Sequence, residues 1–244
     1  LRYATDRDYL PPRNELILFD SEDKRMDYTK LLIIGLLGAL LPSMANAHPH
    51  GWVDLRMRVI FDEQGHIEAL QQAWRIDPFY SLILLEELGA VDDGSSMQQR
   101  LDQLGTEILN NLRSQHYFTE LTYAGEPVHL GDVTDYTTLV IGERVEFSFL
   151  LPLAEPLELD SRALRYKVYD PTYYIEIVHA AESGKPSSQS LVITGAPQDC
   201  RVNIIAADPD PAQVMQAAMI DVNDTGEEGL GRFFAETGEV LCST

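Results

Sequence analysis

Basic residues are scarce. The chain has 18 Lys and Arg against 39 Asp and Glu, a formal net charge of −21, and it lacks the Lys/Arg clusters by which nucleic acid or an anionic lipid surface is held. That acidity suits cations as ligands, and it equally suits plain solubility. Cysteine is scarcer still, with only Cys200 and Cys242. A membrane-spanning helix needs about 20 apolar residues, and the unbroken run Leu31 to Leu41 (LLIIGLLGALL) stops well short of that. There is no Gly-x-Ser-x-Gly, no phosphate loop, no His-Glu-x-x-His helix and no internal repeat. Nothing therefore marks a nucleophile, a nucleotide site or a repeat array, and the expectation is a protein that is not an enzyme.

The short apolar run has the shape of a secretory signal instead. Residue 1 is Leu and the first Met is Met26, so residues 1–25 read as sequence ahead of the true start. From Met26, Lys30 supplies a positive n-region offset by Asp27, Leu31 to Leu41 the apolar core, Pro42 a break, and Ala45-Asn46-Ala47 a small-x-small cleavage pattern. No Cys follows the run, so a lipid anchor is not expected. Residues 26–47 are thus read as a signal peptide, leaving one periplasmic domain over 48–244 with no stable membrane anchor. Residues 1–47 hold six of the basic and seven of the acidic residues; the remaining 12 and 32 leave the domain near −20. In an oxidising compartment an even pair of cysteines predicts a Cys200–Cys242 disulfide, a thiolate metal site being the rival.

Along that domain, Val53, Leu55, Met57, Val59 and Phe61 alternate with Trp52, Asp54, Arg56 and Arg58, the pattern of a half-buried strand. Asp62-Glu63-Gln64-Gly65 is a turn, and His66 to Ile76 the returning strand of a hairpin. Asp77-Pro78 reads as an N-cap with Pro in the first turn, giving a helix over Phe79 to Leu88 that Gly89 stops. Met97, Leu101, Leu104, Ile108 and Leu112 fall at helical spacing and read as the core stripe of a second helix. From Tyr117 to about Ala207, short runs of Val, Ile, Tyr, Phe and Thr broken by Gly and Pro predict an antiparallel sheet or sandwich. Short helices are expected at Ala212 to Ile220 and Leu230 to Thr237. The fold class is α+β, with antiparallel strands dominating, two helices inserted after an N-terminal hairpin and short helices at the C-terminus.

The informative chemistry lies at the new N-terminus, His48-Pro49-His50-Gly51-Trp52-Val53-Asp54. A terminal His offers its α-amine and its imidazole from one residue, a chelate for Zn²⁺, Cu²⁺ or Ni²⁺. In an extended chain His48, His50, Trp52 and Asp54 share a side. Pro49 has no amide N–H to lose, which removes the square-planar mode through deprotonated backbone nitrogens and leaves ligation that suits tetrahedral Zn²⁺. The candidate metal ligands are His48, His50 and Asp54, with His179 and Asp170 behind them. Two calcium-like patterns are incomplete: Asp92-Asp93-Gly94 lacks alternating ligands, and the loop from Asp221 through Asn223 to Gly226 has Arg232 where a bidentate Glu is required.

These residues, with Trp74 and Asp77, Tyr117-Phe118-Thr119, Asp135-Tyr136, Tyr169-Asp170-Pro171-Thr172-Tyr173-Tyr174, Gly195-Ala196-Pro197 leading to Cys200, and Leu230 to Ala235 before Cys242, make the chain resemble the DUF1007 family across essentially all of 48–244. These are uncharacterised periplasmic proteins often labelled components of an ABC-type transport system, commonly encoded beside or fused to nickel/cobalt-type permeases, and some tied to zinc acquisition. The resemblance implies divalent-metal handling with an inner-membrane metal permease as partner. Many relatives carry an Asp-rich loop between the first two helices; here only Val91-Asp92-Asp93-Gly94 stands there.

The leading expectation is a periplasmic metal-binding accessory protein taking zinc, or nickel or cobalt. The alternatives are an interaction subunit that binds no metal, a solute-binding component of an ABC-type transporter, for which the domain is small and unduplicated, and copper oxidase chemistry at the N-terminal His. Processing is the first thing to measure. N-terminal sequencing of the exported protein should begin His48-Pro49, and a mature form starting upstream of Ala45 would refute the cleavage site.

Overall fold

The alternation in the first strand sets the architecture. In the computed structural model, which describes residues 49–196, 199–221 and 224–242, β1 (Gly51–Phe61) buries Val53, Leu55, Met57, Val59 and Phe61 and turns Trp52, Asp54, Arg56 and Arg58 outward. The Asp62 carboxylate accepts the backbone N–H groups of Gln64 and His66 at 2.9 and 2.8 Å, closing the turn. Antiparallel β2 (Ile67–Ile76) then returns along β1, with Val53 opposite Ile76 and Leu55 opposite Trp74.

The chain leaves β2 through two helices. Asp77 caps α1 (Pro78–Ala90), its Oδ1 accepting the N–H groups of Phe79 and Tyr80, which satisfies donors that the first turn leaves unpaired. A reciprocal Ser96–Gln99 capping box starts α2 (Met97–Arg113). Of the stripe read from the helical spacing, Leu101 and Leu112 are buried, Leu104 and Ile108 are half-buried and Met97 is exposed; Gly105 and Leu109 complete the buried face.

A left-handed turn at His116–Phe118 follows, with φ of 49°, 56° and 55° at His116, Tyr117 and Phe118. For residues other than Gly this conformation costs about 1–2 kcal/mol each, so something must hold it. Tyr117 is buried, and its hydroxyl accepts the Val133 N–H at 3.1 Å and reaches Asp132 Oδ1 at 3.3 Å. The Phe118 ring stacks on Trp74, centroids 6.1 Å apart.

From there the chain is mostly strand: β3 (Thr119–Tyr123), β4 (Glu126–Pro127), β5 (Asp135–Ile141), β6 (Arg144–Leu157), β7 (Leu164–Val168) and β8 (Ile175–His179). A short ribbon of β9 (Ala181–Glu182) and β10 (Lys185–Pro186), then β11 (Leu191–Thr194), β12 (Cys200–Ile205), α3 (Pro211–Ala218), α4 (Gly231–Phe234) and β13 (Thr237–Cys242) complete it. One sheet runs β11-β1-β2-β6-β5 with β8 also on β1; the other runs β12-β13-β7-β3-β4. The main core draws on both sheets and on α2: Leu55, Met57 and Phe149 from the first, Leu164, Tyr166 and Val240 from the second, Leu109 and Leu112 from the helix. Among the described residues no helix is long and apolar enough to cross a membrane.

The architecture is α+β with antiparallel pairing dominant, as the sequence indicates, but α1 runs through Gly89 to Ala90 instead of stopping there, and two larger departures stand beside that. Both strands on the outer edge of β1 are parallel to it: β8 lies along Gly51–Leu55 and β11 along Met57–Ile60. At the C-terminus, the helix expected over 230–237 shrinks to the single turn α4, and Thr237–Cys242 is a strand. Its buried Gly238, Val240 and Cys242 have the period of two that a half-buried strand shows, and this register sets Cys242 opposite Cys200.

Those two cysteines form the expected disulfide, pinning edge strand β12 to β13 across 42 residues. Closing a loop of that size in the unfolded chain is worth about 4 kcal/mol in the chain-entropy model. Replacing both cysteines by Ser should lower the unfolding free energy by about 2–4 kcal/mol in urea titrations, with the native β signature kept in the absence of denaturant.

Candidate functional site at the head of the central strand

The parallel seating of β8 on β1 brings together two sequence motifs more than a hundred residues apart. Gly51 pairs with Ile175 and Val53 with Ile177. One step upstream, the His50 N–H donates to the Tyr174 carbonyl at 2.9 Å, and the two rings stack with centroids 4.4 Å apart. The start His50-Gly51-Trp52 thus lies against the end of Asp170-Pro171-Thr172-Tyr173-Tyr174. The third neighbour is the cap of α1. The Asp77 N–H donates to the Trp52 carbonyl at 3.0 Å. A Cβ added to Gly51 would stand 2.8 Å from Asp77 Oδ2 and 2.8 Å from the Tyr80 ring, so glycine is what lets carboxylate, phenol and strand meet here. Burial, together with a hydrogen bond to Tyr174, pushes the Tyr80 phenol above its ordinary pKa.

The five residues named as metal ligands from the sequence have different fates. His48 lies outside the described residues, as does the signal segment. His50 is half-buried at the strand head just described. Asp54 is on the outer face of β1, its Oδ2 2.6 Å from Arg144 Nη1; Arg144 also donates to the carbonyls of Ile76 and Arg75, so the carboxylate is committed to a clamp on the hairpin. Asp170 is nearly buried and organises its own loop: Oδ1 accepts the Thr172 N–H and hydroxyl at 2.8 and 2.9 Å, and Oδ2 the Ile175 N–H at 3.2 Å. His179 is buried with both ring nitrogens occupied, Nε2 by the Tyr166 hydroxyl at 2.6 Å and Nδ1 by Glu236 Oε2 at 2.8 Å. The structure does not bring Asp54, Asp170 and His179 to His50. Among the described residues no three His, Cys, Asp or Glu side chains gather as a metal would require. The Asp93 carboxylate is taken by Ser95 and Arg100, and Asn223 of the other calcium-like pattern is outside the described residues.

Glu236, His179 and Tyr166 follow the acid–imidazole–hydroxyl order of a nucleophile relay, which sequence inspection missed because they come from three separate segments. With its proton on Nδ1, His179 donates to Glu236 and accepts the phenolic proton on Nε2. Tyr166 is 1% exposed, and burial, then the charge of Glu236, pushes its phenol well above the ordinary range. The phenol is closed off from solvent and its protonated form is favoured. The relay instead ties β8 of one sheet to β7 of the other. Burial pushes Glu236 up, but its hydrogen bonds from the His179 ring and backbone outweigh that and hold the carboxyl below its usual value. Neighbouring Glu176 lacks such help: burial, then repulsion from Glu236, pushes it up.

A second feature the sequence did not disclose adjoins the strand head. Between α1, α2 and the inner face of the first sheet lies a cleft of about 310 Å³, with Trp52, Trp74, Asp77, Tyr80 and Tyr174 among its lining. Asp77 reads in sequence only as a helix cap. Its double role, cap on one oxygen and cleft wall on the other, leaves no mark in local spacing.

A family model described as "Protein of unknown function (DUF1007)" matches residues 33–242. An uncharacterised protein of Haemophilus influenzae strain Rd is 24% identical over 216 residues, covering 85% of this chain and 97% of that protein. Among solved structures, the acetylcholine-binding protein of Bulinus truncatus matches at 8% identity, covering 88% of this chain and 97% of that one, with a TM-score of 0.27, a likeness too low to carry an argument.

The electrostatics of the relay are open to test through Glu176. A carboxyl whose folded pKa is raised destabilises the native state once pH exceeds that pKa, and has no effect below the unfolded value near 4.3. Glu176→Gln should therefore stabilise the protein at neutral pH, by less than about 1 kcal/mol given its partial exposure. In urea melts the gain should vanish at about pH 4 or below; a variant less stable at neutral pH would refute the assignment.

Proposed function

The chain belongs to the DUF1007 family, and we propose that it is an exported, divalent-metal-binding accessory protein of the periplasm, with zinc the foremost ion and nickel or cobalt its competitors, that exchanges the ion with an inner-membrane metal permease. The observation that carries this reading is the fixed position of His50, held by its backbone and ring against Tyr174 at the head of β1. His48 stands two residues before it and brings an α-amine and an imidazole together. A chelating pair on a chain end pinned by a strand loses less freedom on binding than one on a free tail.

The carboxylate of this ligand set is Asp77 rather than Asp54. Asp54 is spent on Arg144. Asp77 is 2% exposed, and its Oδ2 faces the backbone of the residue that follows His50. Two imidazoles, an amine and one carboxylate make a four-donor nitrogen and oxygen set suited to tetrahedral zinc, and the acidity of the chain favours cations around it. A second reading, an interaction subunit that binds no metal, is favoured by α1, where Phe79 is 67% and Leu82 53% exposed.

Competition titration of zinc with protein carrying its native His48 terminus separates the two. One extra residue before His48 should weaken binding by more than the 10–100-fold typical of losing a group that only supports a ligand. His48→Ala and His50→Ala should weaken it, and His66→Ala should not. Asp77→Asn keeps a competent cap and should weaken zinc binding with little change in melting temperature. Affinity should fall with falling pH, because ligand nitrogens must lose their protons to bind. An extended protein and a double His48/His50 variant that bind zinc as tightly as the native form would end the proposal.

A further inference from the structure

Apart from Ser81 and the exposed Glu86-Glu87 pair, the helix α1 is apolar or aromatic in its side chains, yet Ser81 is its only fully buried residue. A helix of that composition ordinarily lies inside a protein. What it covers here is the cleft of about 310 Å³, room for roughly ten water-sized groups. The floor is Val53, Trp74 and Phe147 of the first sheet; Leu84 of α1 and Leu104 and Ile108 of α2 form facing walls; Ile175 and Ile177 close one side. Phe118 lines it as well, placed there by the left-handed turn that ends the α2 segment. Strain of this kind persists where the surrounding structure over-determines it, and it gathers at ligand clamps.

We propose that this cleft is a binding site for a neutral, largely apolar small molecule built on an aromatic ring or a short alkyl body. The lining chooses the class. Its polar side chains are few: Asn111, Asp77, and the phenols of Tyr80 and Tyr174, which hydrogen-bond to each other. No Lys or Arg lines the cleft, so an anionic head group has no counter-charge there, and the Asp77 carboxylate together with a net charge of −21 repels it. The aromatic walls offer offset or edge contacts to a ring, and the paired phenols offer one hydrogen-bonding handle. Such a site, a concave apolar volume with few convergent polar groups, has the form in which small-molecule sites are generally found. This goes beyond the metal reading and does not depend on it, since no proposed imidazole ligand lines the cleft.

Titration of the 48–244 protein with the neutral fluorophore N-phenyl-1-naphthylamine, in the presence of a chelator, tests the site. Saturable binding of one equivalent is expected, with the anionic 1-anilinonaphthalene-8-sulfonate at least tenfold weaker. Ile108→Trp and Leu84→Trp fill the cleft from opposite helices and should each weaken the neutral probe at least tenfold. Leu82→Glu, on the outer face of α1, should leave it unchanged. Hydrogen exchange on the unmutated protein gives a readout independent of any variant: the probe should slow exchange in α1 and α2 and leave β12 alone. Absence of saturable binding, equal affinity for the two probes, full binding in a folded Trp-filled variant, loss of binding in Leu82→Glu alone, or no slowing of exchange in α1 would each overturn the proposal.

Discussion

The head of β1 and the cleft beside it depend on the outer edge of β1 being filled by two parallel strands. An antiparallel partner could reach that edge by a tight turn; parallel partners need a long crossover. Here the whole passage from the Asp62 turn to the Asp170 loop is that crossover. Its cost in chain entropy is repaid in geometry. Because β8 runs in the direction of β1, its entry loop stands beside the head of β1, and Tyr174 meets His50. An antiparallel β8 would have placed that loop at the opposite end, beside Leu55. The same seating carries His179 to the middle of β1, opposite Leu55, within reach of Tyr166 in the second sheet.

The sandwich is closed by apolar burial but aligned by buried polar links. Gln72 is fully buried in β2; its amide nitrogen donates to Thr119 of β3 at 2.9 Å, and its oxygen accepts the Trp74 indole N–H at 2.9 Å. With the Tyr166–His179–Glu236 relay, this makes two places where the sheets are joined by groups that cannot be left unpaired. Such links add little net stability, about 0.5–1.5 kcal/mol each, but an unpaired member costs about 1–3 kcal/mol. They therefore penalise a slipped stacking of the sheets more than they reward the native one. Hydrocarbon contacts alone would tolerate a shift far better.

Two chemistries then share one end of the fold. The strand head presents nitrogen and carboxylate groups, and the adjoining cleft presents hydrocarbon and aromatic faces. Asp77 belongs to both. One oxygen caps α1 and the other stands against Gly51, so the helix that roofs the cleft and the carboxylate at the strand head are set by the same residue. Movement of α1 would consequently be felt at the strand head.

Features that depend on a few consecutive residues were determined by the sequence itself. The alternation of β1, the Asp62 turn, the Asp77 helix start and the existence of α2 all arise from local hydrogen bonding and from side-chain periods of 2 and 3.6. The cysteine pairing followed from there being only two. The family likeness, too, was carried by short motifs. Only the tertiary structure decided which of those motifs meet. Asp54 looked available beside His50, yet it faces Arg144, a residue 90 positions away that no spacing rule connects to it. Asp170 and His179 looked like spare donors until the loop and the relay took up their lone pairs. The helix read over 230–237 shrank to one turn, because the chain beyond it, 237–242, is drawn into pairing with β7 and β12. Non-local pairing is a property of register and burial, which one stretch of sequence does not encode. The same limit hid the cleft, whose walls come from both helices, the left-handed turn and two strand pairs.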